Sequence, residues 1–385
     1  MRKDWKLLLR QLELKGKPQE VVTMGNLLRE FELSPFCNEL ATPLHMAAFK
    51  GNLEDLEFLH QKLKFLSPKD QNGRLPIHYA TLNSQISSIN VILSYYQEEE
   101  RQQYDNFGLT PLHISASVGN LAVFKRLLDE TTDKNPVNVI TGDTPLHLAV
   151  LEGHKEIVEI ILLSLERLKN PENYEGWTPL HISVLSGSVL MTREILMHNS
   201  REYEANPAEN DNGLTPLHLA AIHGRCRIAK IISEYLGSEE NSPENEMGMT
   251  PLHFAARFGH FSTFSFLSEK VLDTNPLDYL NRTTLHLAAK FGHFDLVQFI
   301  FSKMQEKNPR DLTGRTPIHF AAAKGHLQIV QYLAEKNSKP FVRDFDGLTP
   351  LHYAHANHHF KVVDYIIKFK SSQKHQNNII INKKI

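Results

Sequence analysis

Apolar residues along this chain come in paired clusters, each opened and closed by helix-boundary residues. Between positions 144 and 162 the pattern reads Thr144-Pro145, then Leu146, Leu148, Ala149 and Val150, then Gly153, then Ile157, Val158, Ile161 and Leu162. Thr is a good N-cap, and Pro fits the first helical position because its missing amide would be unpaired there anyway. Gly suits the left-handed residue that closes a helix. The second cluster has the spacing of a helix with one buried face. Leu327, Val330, Tyr332 and Leu333 repeat that spacing. The pattern predicts a short helix, a turn, and a second amphipathic helix.

The same unit recurs along the chain. Thr-Pro-Leu-His or a close variant starts at Thr42, Thr110, Thr144, Thr178, Thr215, Thr250, Thr316 and Thr349. Two degraded copies read Leu75-Pro76-Ile77-His78 and Thr283-Thr284-Leu285-His286. The histidine series is His45, His78, His113, His147, His181, His218, His253, His286, His319 and His352, with gaps of 33, 35, 34, 34, 37, 35, 33, 33 and 33 residues. A fixed period of this size signals an array of stacked repeats.

Further positions keep the same register. A helix-closing Gly stands at Gly51, Gly119, Gly153, Gly187, Gly224, Gly259, Gly292 and Gly325. A turn Gly lies two residues before the cap in eight copies, and Asn281 takes its place in another. Asn tolerates positive φ better than most residues, so the substitution keeps the backbone requirement. Pro68, Pro136, Pro171, Pro207, Pro243, Pro276, Pro309 and Pro340 are expected to stop the second helices.

This pattern resembles the ankyrin-repeat family. The likeness is carried by the Thr-Pro-Leu-His caps, the Ala220-Ala221, Ala255-Ala256 and Ala288-Ala289 pairs, and the Gly153-His154, Gly259-His260, Gly292-His293 and Gly325-His326 steps. It covers residues 37–370. The Asn-Pro steps depart from the Gly-Ala-Asp that many such repeats carry, so the hairpins are expected to differ in shape. The longest gap, before His218, predicts a bulged loop.

The resemblance implies a mainly α fold, an elongated solenoid of about ten stacked helix-turn-helix units with short hairpin loops. It divides the chain into an N-terminal capping helical segment (1–36), the repeat domain (37–370) and a mobile C-terminal tail (371–385). Trp5, Leu8, Leu9 and Leu12 form one apolar stripe in the first segment.

The resemblance also implies a concave surface made by hairpin tips and first helices. The positions expected to face a partner there are Tyr174, Trp177, Met249, Arg257, Phe258, Arg282, Lys290, Phe291, Arg315 and Lys324. Phe107, Leu109, Met247, Tyr279 and Ala323 occupy related positions. Aromatic residues and Arg are favoured at binding hot spots. A basic-aromatic ladder in the seventh to ninth copies is therefore the expected contact region, with an acidic extended segment as its partner. The competing expectation is that Phe258 and Phe291 pack half buried between units.

Composition narrows the function classes. A formal net charge of -2 gives no general attraction to nucleic acid. Two cysteines, Cys37 and Cys226, make no disulfide framework, which points to a reducing compartment, cytoplasmic or nuclear. No apolar run reaches the roughly 18 residues a membrane span needs. Of 21 histidines, ten belong to the repeat, where the resemblance implies hydrogen bonds to the capping Thr and neighbouring loop backbone. His352, His355, His358 and His359 have spacings that suit metal ligands on one helical face. Phosphate-binding, dinucleotide and nucleophile-elbow motifs are absent.

The leading expectation is a non-catalytic, monomeric protein-interaction scaffold with no cofactor. The alternatives are the cytosolic ankyrin section of a larger channel or adaptor, and a metal-binding protein using the C-terminal histidines.

Overall fold

The computed structural model describes residues 41–62, 67–164, 170–198, 212–236 and 243–382. The proposed N-terminal cap and most of the long loop before His218 lie outside the described residues. Among the described residues all regular structure is helical. Ten first helices begin at Pro43, Pro76, Pro111, Pro145, Pro179, Pro216, Pro251, Thr284, Pro317 and Pro350, each followed by a second helix. A four-residue helix, Glu98–Arg101, lies in the second copy's loop.

The chain divides into two compact units: Met1–Ser183 with Arg193–Ser200, and Val184–Thr192 with Arg201–Ile385. In the first unit Pro43–Lys50 packs on Pro76–Leu82, then Pro111–Val118, then Pro145–Glu152. In the second unit Pro216–Ile222, Pro251–Phe258, Thr284–Phe291, Pro317–Ala323 and Pro350–Ala356 pack in the same sequential way. Their Ala pairs (255–256, 288–289, 321–322) are fully buried, which lets neighbouring first helices approach closely. Leu285 and Ile318 on the first helices, with Val297, Ile300 and Leu333 on the second, fill the space between the two rows. Burying a Leu or Ile fully contributes about 1.5–3 kcal/mol.

In the copies of His45, His78, His113, His147, His218, His253 and His286, the repeat histidine joins its own cap to the loop that leads to the next one. It stands at the third helical position and its ring is buried. The backbone amide of Thr283 donates to His286 Nδ1 at 3.0 Å, with the Thr283 hydroxyl also at 3.0 Å. An amide can only donate, so Nδ1 is unprotonated and the neutral ring carries its proton on Nε2. That Nε2 donates to the Arg315 carbonyl at 3.1 Å. His45 reaches Arg74, His113 reaches Asp143 and His147 reaches Trp177 in the same way, at 2.9, 3.1 and 3.0 Å. His218 and His253 do so to Met249 and Arg282, at 2.9 and 3.1 Å.

One expectation needs correction. Pro276 and Pro309 do not stop their second helices: Phe261–Ser268 ends well before Pro276, and Phe294–Lys303 well before Pro309. The second of these helices turns extended at Met304, and the Lys307 ammonium donates to the Phe301 carbonyl at 2.5 Å. The prolines themselves are buried in the loops beyond. The last helix runs from Phe360 to Asn382, across the domain boundary expected at position 370.

Burial pushes the His45, His78, His113, His218, His286 and His319 rings from 6.5 down to about 4. With depressed folded-state values, the unfolded chain takes up protons first. Stability present above about pH 6.5 is therefore lost as pH falls toward about 4, at up to about 1.4 kcal/mol per ring per pH unit. Urea midpoints should fall steadily from about pH 7.5 to about pH 5. A flat midpoint across that range would contradict the buried neutral rings.

Candidate protein-binding surface

The first helices of the seventh, eighth and ninth copies close on Gly259, Gly292 and Gly325, with φ of 80°, 85° and 76°. A second histidine from the following copy lies against each glycine. His293 Nε2 donates to the Arg257 carbonyl at 2.9 Å, His326 to Lys290 at 3.1 Å, and His359 to Ala323 at 3.2 Å. These bonds satisfy carbonyls at helix ends that have no intrahelical partner. With the bonds from His253 and His286, they hold the backbone carbonyls of Arg257, Arg282, Lys290 and Arg315.

The side chains form one cluster within the second unit. The Arg257 guanidinium lies 5.5 Å from the Phe258 ring centroid and 5.4 Å from that of Phe291. The Lys290 ammonium lies 5.5 Å from the Phe291 centroid. A cation over an aromatic face is attracted by the ring quadrupole. Phe258 and Phe291 are 44% and 39% exposed, so each ring backs a cation and still meets solvent.

Arg282 and Arg315 are anchored differently. Their guanidiniums pair with the buried Asp278 and Asp311 at 2.6 and 3.0 Å. Asp278 Oδ1 also accepts the Leu280 and Arg282 amides at 2.9 and 2.8 Å, which fixes the hairpin. Burial would raise the Asp311 carboxyl. The hydrogen bonds from Thr313 and the Arg315 amide, with the Arg315 charge, outweigh that and hold it below the usual range.

Arg257, Lys290 and Lys324 have no carboxylate partner among the described residues. Burial lowers the Lys290 ammonium, and the charges of Arg282, Lys324, Arg257 and Arg315 lower it further. The site is thus a set of like charges held together by aromatic rings and hairpin geometry.

The structure does not gather every expected residue here. Tyr174 and Trp177 belong to the first unit. Tyr174 is exposed at a hairpin tip, while Trp177 is partly buried, edge-on to His181. Met249 requires correction: it is 2% exposed, and Asn245 Oδ1 accepts from its amide. It occupies the position before the capping Thr, as Arg282 and Arg315 do. There a long charged side chain reaches solvent over an apolar stem, whereas Met remains inside. The C-terminal histidines do not converge. His352 Nδ1 accepts the Thr349 amide, His359 Nε2 reaches Ala323, and His358 adopts φ 60° at the helix end. Among the described residues, no group of three or more metal-ligating side chains comes together.

The hairpin anchors were absent from the sequence reading. Asp70, Asp105, Asn173, Asn245, Asp278, Asp311 and Asp344 each accept backbone amides two and four residues ahead. The signal was available: in each case Asp or Asn stands three residues before the turn Gly, or before Asn281.

The family model for ankyrin repeats (three copies) matches residues 89–167, 163–244, 230–311 and 285–378. These matches cover most of the chain, which belongs to the ankyrin-repeat family. It is 38% identical over 101 residues to the probable 26S proteasome regulatory subunit p28 of Saccharomyces cerevisiae, covering 26% of this chain and 44% of that protein. It is 31% identical over 90 residues to the target of rapamycin complex 2 subunit AVO2 of the same organism, covering 23% of this chain and 21% of that protein. The chain therefore spans less than half the length of either relative.

The glycine contacts give a controlled test. A Cβ on Gly292 would stand 2.6 Å from His326 Cε1, whereas one on Gly153, at a similar φ of 82°, meets nothing within 4 Å. Gly153→Ala should cost about 1–2 kcal/mol from backbone strain alone. Gly292→Ala should cost measurably more in urea unfolding; equal losses would mean the histidine contact carries no weight.

Proposed function

We propose that this protein is a non-catalytic interaction scaffold that binds an acidic, extended segment of a partner protein along its seventh to ninth copies. The observation behind this reading is the Lys290 cluster: Lys290 feels the charges of Arg257, Arg282, Arg315 and Lys324, Arg257 and Lys290 lie over two half-exposed rings, and three of the five cations lack a carboxylate. Concentrating like charge in this way is costly unless an anionic partner relieves it. Arg and aromatic side chains in a rigid frame are also the residue types that carry most binding energy.

The relatives support the same class of role. Both are named as subunits of larger assemblies. Ankyrin repeats in general act as interaction modules. Among the described residues, no helix is long and apolar enough to cross a membrane. A cytoplasmic or nuclear location accompanies this reading.

Affinity capture from native lysate, comparing the intact chain with Arg257→Glu, Lys290→Glu, tests the site. A partner held by the intact chain should be lost from the variant, and both proteins should give the same helical circular dichroism. Capture of the same partners by both proteins would remove these copies from the contact region.

A further inference from the structure

The first unit carries a surface of the opposite charge. The hairpins that open its third, fourth and fifth copies touch one another at their tips. Asn138 Nδ2 donates to the Phe107 carbonyl at 3.0 Å, and the Tyr174 amide donates to the Thr141 carbonyl at 3.0 Å. A Cβ on Gly108 would stand 3.2 Å from Val139 Cγ2, and one on Gly142 would stand 2.7 Å from Tyr174 Cδ1. Val139 and Tyr174 thus each lie over the turn glycine of the preceding copy.

The row made in this way is apolar and open. Phe107, Val139, Ile140 and Tyr174 are each more than half exposed. Contiguous exposed apolar side chains mark an interaction surface, whereas scattered ones are ordinary. Tyr104 stands beside the row. Burial raises its phenol, and the Asp133 carboxylate and the Tyr174 phenol raise it further, so the three groups are within electrostatic reach of one another. Tyrosine suits such a place because its ring offers apolar area and its hydroxyl stays wet.

Charge selects the partner. The cations beside the row are already engaged within the chain. Arg74 pairs with Asp105 at 3.1 Å while its guanidinium lies 5.4 Å from the Phe107 centroid, and the Lys134 ammonium donates to the Leu128 carbonyl. The carboxylates of Asp133, Glu172 and Glu175 are exposed and have no cationic partner among the described residues. Glu172 and Glu175 stand on either side of Tyr174 in the chain. A cation arriving here meets unpaired carboxylates and ring faces, and an arriving anion is repelled.

We propose that this hairpin row is a second protein-binding surface, and that its partner is a basic segment carrying large apolar side chains. The Lys or Arg groups of that segment meet Asp133, Glu172, Glu175 and the two phenol rings. Its apolar groups cover Phe107, Val139 and Ile140. This surface lies in the first unit and is independent of the Lys290 cluster, which lies in the second.

The test uses labelled peptides against the full chain, read by fluorescence anisotropy at low salt. A peptide of repeated Lys-Leu-Lys-Phe should bind on the order of tenfold more tightly than one of repeated Lys-Ser-Lys-Ser. Glu172→Lys, Glu175→Lys should weaken the first peptide on the order of tenfold. Glu234→Lys, Glu269→Lys makes the same charge change in the second unit and should leave binding unchanged. Both variants should keep the helical circular dichroism of the intact chain.

Equal binding of the two peptides overturns the role of the apolar row. Equal loss from the two variants reduces the effect to general attraction and overturns the site, as does failure of the first peptide to bind. Arg257→Glu, Lys290→Glu should not weaken the basic peptide, so the scaffold reading of the second unit stands or falls separately.

Discussion

The structure depends on a neutral imidazole, buried in seven of the helix pairs, that spends both ring nitrogens on the backbone. Nδ1 accepts from the capping residue of its own copy, and Nε2 donates to a carbonyl of the next. A short helix of seven or eight residues has little stability alone. Here its N-terminus is closed by the same ring that ties it to its neighbour, so cap and interface form together. A second histidine series works in the opposite direction, from the start of one second helix back to the end of the preceding first helix.

The two series explain why the candidate surface can carry so much positive charge. Arg257, Arg282, Lys290 and Arg315 each have a backbone carbonyl held by an imidazole from a neighbouring copy. Mutual repulsion among their side chains therefore meets a fixed backbone. The glycines follow from the same constraint. Gly259 and Gly292 supply the left-handed closure, and the ring of the following histidine occupies the space where a side chain would begin.

Much of the local architecture was legible in the sequence, because capping and helix closure are decided by adjacent residues. Thr283 and His286 mark a cap wherever they fall, and Asn281 takes φ 56° as its place in the turn requires. Surface positions were harder to read. Met249, Arg282 and Arg315 share one register position, yet side-chain length decides which of them reaches solvent. The loop prolines were given too large a role because helix ends here are fixed by packing and carbonyl capping several residues earlier. The backbone bonds that tie hairpin tips copy to copy, such as Tyr279 N–H to the Met247 carbonyl, are likewise displayed by no single copy's sequence.

Nitrogen-15 NMR of the imidazole rings tests the buried-histidine linkage most directly. At neutral pH the buried rings of His45, His113, His218 and His286 should be neutral and protonated on Nε2, and His286 should remain so until the pH approaches about 4. Rings protonated on Nδ1, or titrating near the ordinary 6.5, would contradict the linkage on which the fold and the surface are argued.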